Sequence, residues 1–356
     1  MASGQSLDPN SPLPPETEPL NRSPLFLSLV SLAFIAGCSS SGASPKNAEI
    51  SGFRGDYPIK AIATVGMVAD IARNVGGKHV AVTQVMGAGV DPHLYKATRD
   101  DVQTIMTGDI VFYSGLMLEG KMIDTLVKVS RSKPVYAVTE MIEEQYLLEP
   151  SDFAGHYDPH VWMDVSAWAK CVDAVAKALS EFDPAHAADY RGNAEGYRKQ
   201  LLELYEYGRK SIATIPEKSR VLITSHDAFN YFGRAYGLEV QGVQGISTES
   251  EAGLQRVNEL VDLIVEKQVK AVFVESSVPR KNIEAIASGA RSRGHEVVIG
   301  GELFSDAMGE EGTYEGTYLG MLDHNITLAT RALGGEAPIG GSQGKLTVKE
   351  LPQSPR

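Results

Sequence analysis

Apolar and polar positions follow two rhythms along this chain. Short, mainly apolar runs, "KAIATV" at 60–65, "VAVTQVMG" at 80–87, "DIVFYSG" at 109–115 and "PVYAVT" at 134–139, read as strands, the third of them apolar as a buried parallel strand should be. Between them lie segments with helical period: Met67 to about Asn74, a helix opening near Thr98 with Asp100 and Asp101 in its first turn, "LEGKMIDTLVKVS", and an amphipathic stretch over 164–181. A polar helical stretch follows over 184–213, weakened but not ended by Gly192 and Gly196. At this length it would span about 45 Å. The first rhythm then resumes with strands "RVLITS" (220–225), "LEVQGVQG", "VKAVFVESS" (269–277) and "HEVVIGG". Their partner helices are "HDAFNYFGRAYG", "SEAGLQRVNELVDLIVEKQ", one from about Pro279 to Arg293, and "YEGTYLGMLDHNITLATRAL".

Strands alternating with helices predict parallel sheets with right-handed crossovers. The fold class expected is α/β: two lobes, each with a mainly parallel sheet flanked by helices, joined by one long backbone helix. The expected boundaries are a lobe over 57–183, the connecting helix over 184–215 and a second lobe over 216–334. Residues 335–356 are rich in Gly, Pro and Ser and are expected to form a disordered tail.

The N-terminus changes the compartment. The apolar run at 25–37, "LFLSLVSLAFIAG", is too short for a comfortable membrane span, and it ends in Ile35-Ala36-Gly37-Cys38 before "SSSGAS". This resembles a bacterial lipoprotein signal. The resemblance implies a signal peptide over 1–37, lipidation of Cys38, a flexible tether over 38–56, and export with the protein anchored to a membrane and facing the periplasm or the cell exterior. The other cysteine, Cys171, falls in the helical pattern "VSAWAKCVDAVAKAL" and reads as core, so no intramolecular disulfide is expected. The 356 residues carry a formal charge of −12, which argues against a nucleic-acid partner and mildly favours approach of cations.

A tripeptide that occurs twice carries the candidate chemistry. Asp91-Pro92-His93 and Asp158-Pro159-His160 each end a loop. Proline fixes its own φ and biases the residue before it towards extended geometry, so each histidine is presented from a stiffened loop. His226 follows the strand "RVLITS" and Asp306 lies just past "HEVVIGG". All four stand at strand-to-helix junctions, two in each half, where ligands of parallel sheets bind. Three imidazoles and a carboxylate suit a borderline divalent ion such as Mn²⁺ or Zn²⁺ better than Ca²⁺ or Mg²⁺. Asp91 and Asp158 are placed to orient the neighbouring histidines or to cap their loops, and Glu275, ending "AVFVE", points to the same edge. His156 reads as an exposed loop residue, while His79, His186, His295 and His324 read as structural. Trp162 and Trp168 are expected to pack the first lobe. Gly312, Gly316 and Gly320 fit close packing at a helix start, since Glu315, Asp323 and His324 exclude a membrane span.

The stretches "VDPHLYKATRDDV", "DIVFYSGLMLEGKM", "DPHVWMDVSAW", "ITSHDAFNYFGRAYGLEVQGVQGISTESEA", "AVFVESSVP" and "GGELFSDAMGEEGTYEGTYLGMLDHNI" resemble the TroA-type receptor lipoproteins of bacterial manganese and zinc ABC transporters, over roughly residues 57–334. The resemblance implies one ion held between two lobes by His93, His160, His226 and Asp306. It also implies handover to a membrane permease driven by an ATPase, by a protein expected to act as a monomer. The third ligand position varies in that family, and His226 leaves both metals open. Zinc-specific members often carry a His-rich loop before the second triplet. Here that region holds only His156, which favours manganese.

Two other functions compete. A zinc hydrolase would keep an open coordination position and a general base, yet four protein ligands would close this site, and no HExxH or Gly-x-Ser-x-Gly pattern occurs. A surface adhesin would use the same fold, but no separate adhesive module is evident. Since imidazoles bind metal only when neutral, affinity is expected to fall below about pH 6.5, the unperturbed histidine value.

Overall fold

In the computed structural model, which describes residues 52–153 and 155–347, the first sheet grows outwards from one buried strand. β1 (Ile59–Ala63) pairs in parallel with β2 (Val80–Gln84) on one side and β3 (Ile110–Tyr113) on the other, and β4 (Val135–Ala137) extends the order to β2-β1-β3-β4. The crossovers and cover come from α1 (Gly66–Gly76), α2 (Arg99–Thr107), α3 (Ile123–Val129) and α4 (Val165–Phe182). Thr98 caps α2 in a reciprocal box with Asp101, so the helix begins where its polar start signal lies. At α4 the Asp164 carboxylate accepts the backbone N–H groups of Ser166 and Ala167. The signal segment at 1–37, most of the tether and Cys38 lie outside the described residues.

The long polar stretch is α5 (Ala187–Ile212), 26 residues and about 39 Å long at 1.5 Å per residue. It buries one stripe, Tyr190, Ala194, Tyr197, Leu201, Leu204 and Gly208, at helical spacing. That stripe reaches both halves. Tyr197 OH donates to Asp70 on α1, and Tyr207 OH is 2.8 Å from Thr327 Oγ1 on the last helix. A Cβ at Gly208 would stand 2.8 Å from the Tyr236 ring and 2.9 Å from Ile326, so glycine permits the close approach there.

Beyond α5, β5 (Val221–His226) pairs in parallel with β6 (Glu239–Gln244), and β7 (Ala271–Glu275) with β8 (Val298–Leu303). β5 and β7 run side by side without a shared ladder. Around them pack α6 (Asn230–Tyr236), closed by left-handed Gly237, then α7 (Leu254–Lys267), α8 (Lys281–Ser292) and α9 (Tyr318–Ala332). This is the two-lobed α/β architecture with a connecting helix. One apolar cluster runs through the first lobe, α5, α6 and α9, and a second fills the far side of the second lobe. Among the described residues no helix is long and apolar enough to cross a membrane.

Two expectations need correction. Residues 335–347 do not form a disordered tail: Ser342 donates its N–H and hydroxyl to the buried Asp323 carboxylate at 2.8–3.0 Å, and Thr347 N–H reaches Glu315 at 3.2 Å. Low apolar content misled, because this segment is fastened by polar bonds rather than by a core. Trp162 and Trp168 pack beyond the first lobe. Trp162 Nε1 donates to the Ser305 carbonyl at 2.9 Å, and Trp168 stacks on Tyr318 of α9. Of the three glycines leading into α9, Gly316 and Gly320 are close-packing positions, since a Cβ would fall 2.1 Å from the Glu310 carbonyl and 1.8 Å from the Tyr314 carbonyl, whereas Gly312 has open space where a Cβ would point and instead takes a φ of +82°.

Candidate metal centre

Both Asp-Pro-His triplets adopt the same local device. Asp91 Oδ1 accepts the His93 N–H at 2.8 Å, and Asp158 Oδ1 accepts the His160 N–H at 2.9 Å. The aspartate closes a turn over the proline and aims the histidine two residues on. His226 is the last residue of β5, and Asp306 lies three residues past β8. The carboxyl ends of strands from both lobes therefore face one another.

These four side chains meet. Their nearest nitrogen and oxygen atoms all lie within 4.8 Å of one another, and all four residues are buried. His160 Nε2 is 3.2 Å from His93 Nε2, 3.4 Å from His226 Nε2 and 3.4 Å from Asp306 Oδ1. His226 Nε2 is 3.3 Å from Asp306 Oδ2, and His93 Nε2 is 3.9 Å from the same oxygen. Asp306 Oδ1 is buried with no hydrogen-bond partner. Such an orphaned acceptor is costly unless something positive sits beside it.

Two carboxylates stand behind the rings. Asp158 Oδ1 is 2.7 Å from His160 Nδ1, and Glu275 Oε2 is 2.5 Å from His226 Nδ1. An ionised carboxylate only accepts, so these Nδ1 atoms carry protons, and once the Nε2 protons leave, the neutral rings turn bare Nε2 lone pairs inwards. Bare lone pairs this close repel unless a cation or protons lie between them. Asp91 differs, for it caps the backbone of its loop and touches no ring.

The electrostatics follow. Burial opposes charge on His160, but the Asp158 and Asp306 carboxylates outweigh it and raise its pKa to about 9. Burial likewise opposes charge on His226, and Glu275 with Asp306 lifts it well above the ordinary value. His93 goes the other way: burial lowers it to about 3, with Asp306 countering only in part. Burial pushes Asp306 up, but His226, His160 and His93 hold it well below the usual carboxylate range. The pocket is thus built for positive charge, carried by protons or by a metal.

The remaining histidines stay apart from the centre. His156 lies in the loop before the second triplet and is exposed. His79 stacks on His186 with centroids 3.8 Å apart, His295 bonds the Val269 carbonyl, and His324 bonds the Glu302 carbonyl. Sequence reasoning missed three residues of the second lobe that brace the triplets of the first. Thr248 Oγ1 donates to Asp91 Oδ2 at 2.5 Å, Asn230 Nδ2 to Asp158 Oδ2 at 3.2 Å, and Tyr231 OH to the Asp158 carbonyl at 3.0 Å. Nothing local marks them, because their partners lie 72 to 157 positions away.

The profile of the family described as "ZnuA: Zinc-uptake complex component A periplasmic" matches residues 62–332. The chain belongs to this family. Among its relatives, the manganese-binding lipoprotein MntA of Bacillus subtilis (strain 168) is 52% identical over 285 residues, covering 80% of this chain and 93% of that protein. The zinc-binding protein TroA of Treponema pallidum (strain Nichols) is 45% identical over 274 residues, covering 76% and 88%. The solved structure of periplasmic zinc-binding protein TroA superposes with a TM-score of 0.75 at 44% identity, covering 77% of this chain and 99% of that one. The two-lobed fold built above is the fold of this family.

Proposed function

We propose that this protein is an extracytoplasmic receptor that captures one divalent transition-metal ion between its lobes and delivers it to the permease and ATPase of an ABC uptake transporter. The observation that carries this reading is the meeting of His93, His160, His226 and Asp306 from both lobes, with an orphaned Asp306 oxygen among them. We assign these four as ligands. Asp158 and Glu275 orient His160 and His226, and Asp91 sets the His93 loop. The lobes are taken as 57–183 and 216–334 around a connecting segment at 184–215, and the receptor as a monomer.

A mixed nitrogen and oxygen donor set suits Mn²⁺ and Zn²⁺ alike. Manganese is favoured by the relative named manganese-binding that shares 52% identity, and by the single histidine in the loop before His160. The family description and the Treponema relative keep zinc as second choice. Four protein donors reserve no position for a reactive water, so the protein binds its ion as cargo and catalyses nothing. Lipidation at Cys38 would hold it at the membrane facing outwards.

The test is elemental analysis of the full-length protein purified in mild detergent without chelator, then competitive titration of the stripped protein with Mn²⁺ and Zn²⁺. One retained equivalent and submicromolar manganese binding is the expected result. Tight binding of zinc alone would make this a zinc receptor. No retained metal would overturn the receptor reading.

A further inference from the structure

The two sides of the metal centre are fastened differently. On one side the lobes are joined by buried bonds: Trp162 Nε1 to the Ser305 carbonyl at 2.9 Å, Tyr318 OH to the Trp162 carbonyl at 2.7 Å, and Tyr231 OH to the Asp158 carbonyl at 3.0 Å. Trp162, Tyr231 and Tyr318 are fully buried and belong to one apolar cluster that continues through both lobes. Parting the lobes here would strip buried polar groups of their partners and expose that core.

On the other side two neighbouring residues of one loop make the crossing. Thr248 Oγ1 donates to Asp91 Oδ2 at 2.5 Å, and Glu249 pairs with Lys121 at 3.2 Å, with side chains 51% and 32% exposed. A half-exposed ion pair holds weakly. The loop runs from the end of β6 to the start of α7 without regular structure, and Gly245 and Gly253, which bracket it, have open space where a Cβ would point.

Asp91 makes this loop matter to the ion. Its Oδ2 takes the Thr248 hydroxyl, while its Oδ1 accepts the N–H of His93 at 2.8 Å and of Leu94 at 3.4 Å. One carboxylate therefore ties the turn that carries His93 to the opposite lobe. His93 is also the most exposed of the four ligands, at 5%, and among the described residues no carboxylate bonds its Nδ1. His160, His226 and Asp306 sit on the firmly joined side or are braced from behind.

We infer that Thr248 is a positioning residue for His93, and that loop 245–253 is the latch through which the ion enters and leaves. Opening breaks the Thr248–Asp91 and Lys121–Glu249 contacts and frees the His93 turn. The other three ligands keep their buried supports. The inference rests on the proposed metal-receptor function.

The test is the rate at which excess EDTA strips Zn²⁺ from the loaded full-length protein in detergent. Thr248→Val keeps the shape and removes the hydroxyl. Its off-rate is expected to rise about tenfold, the scale of one hydrogen bond to a charged group, while the melting temperature of the metal-free protein stays at the wild-type value. Thr248→Ser should return the off-rate to wild type, and Glu249→Gln, at an exposed site, should raise it in the same direction by less. A wild-type off-rate in both Thr248→Val and Glu249→Gln, in protein that still loads one equivalent, overturns the latch and leaves the receptor function standing. Wild-type protein that retains neither zinc nor manganese overturns both.

Discussion

Glu275 holds His226 with both of its oxygens. Oε1 accepts the His226 backbone N–H at 2.8 Å and Oε2 lies 2.5 Å from Nδ1, across a gap of 49 residues that brings the ends of β7 and β5 together. One carboxylate thus sets the strand end, the ring orientation and the proton on the outer nitrogen. Glu275→Gln removes the charge and keeps the size. Metal affinity is expected to fall by about 10–100-fold, the usual cost of losing such an outer partner, with one equivalent still bound at saturation. Isothermal titration measures both quantities, and an unchanged affinity would show that Glu275 only builds the fold.

Removing one of the four proposed ligands should cost more. His160→Ala is expected to weaken binding by more than about 100-fold, beyond the range for outer partners. Competition against a chelating dye reads the loss. Equal affinity in wild type and His160→Ala would dismiss the assigned centre.

Proton release gives a test that needs no substitution. The metal-free pocket holds protons on His160, with its pKa raised to about 9, and on His226, raised well above 6.5. An entering ion must displace both, whereas His93, lowered to about 3, has none to lose at neutral pH. At pH 7.5 loading should release about two protons, read from calorimetric heats in buffers of different ionisation enthalpy. Affinity should climb with pH up to about 9, not level off near 6.5 as ordinary histidines would imply. The sign is opposite for the stability of the metal-free fold. His160 has a folded pKa above its unfolded one, so its contribution to the metal-free fold is complete below about 6.5 and is lost as pH rises through about 9. Zero protons released at pH 7.5 would mean that the rings are neutral before the ion arrives.

The C-terminal segment is expected to matter for stability and not for metal specificity. Ending the chain after Gly334 removes three Ser342 contacts from the buried Asp323 carboxylate, leaving it with Tyr314 OH and Thr327 Oγ1. A loss of about 3 kcal/mol is expected for a buried charge so stripped, measured by denaturant unfolding of the metal-free protein. The ratio of manganese to zinc affinity should not change.

Gly320→Ala should be more damaging than any exposed alanine on α9. The new Cβ would fall 1.8 Å from the Tyr314 carbonyl and 2.8 Å from the Glu315 N, in the turn that leads from Asp306 into the helix. Backbone must move, so destabilisation of more than about 3 kcal/mol is expected, together with weaker metal binding. A melting temperature within a degree of wild type would contradict the packing described.

Local chemistry made much of this protein readable in its linear order. Buried parallel strands are mainly apolar, so β1, β3, β5 and β7 stood out as runs, and Thr98 and Gly237 marked a helix start and a helix end because capping is a matter of a few adjacent residues. The Asp-Pro-His triplets were legible for the same reason: the turn that aims each histidine is closed two residues away. Even Asp306 could be placed, since it follows a strand end. Tertiary packing alone determined the rest. It put the Nε2 atoms of His93 and His226 3.2 and 3.4 Å from that of His160, and it set Glu275 rather than a nearer acid behind His226. It also moved the titration of His160 to about 9 and that of His93 to about 3, because burial and neighbouring carboxylates act through space and not along the chain. Thr248 and Ser342 carried no local signal at all. Their meaning lies wholly in the carboxylates of Asp91 and Asp323, which lie 157 and 19 positions away and adjoin them only in the folded protein.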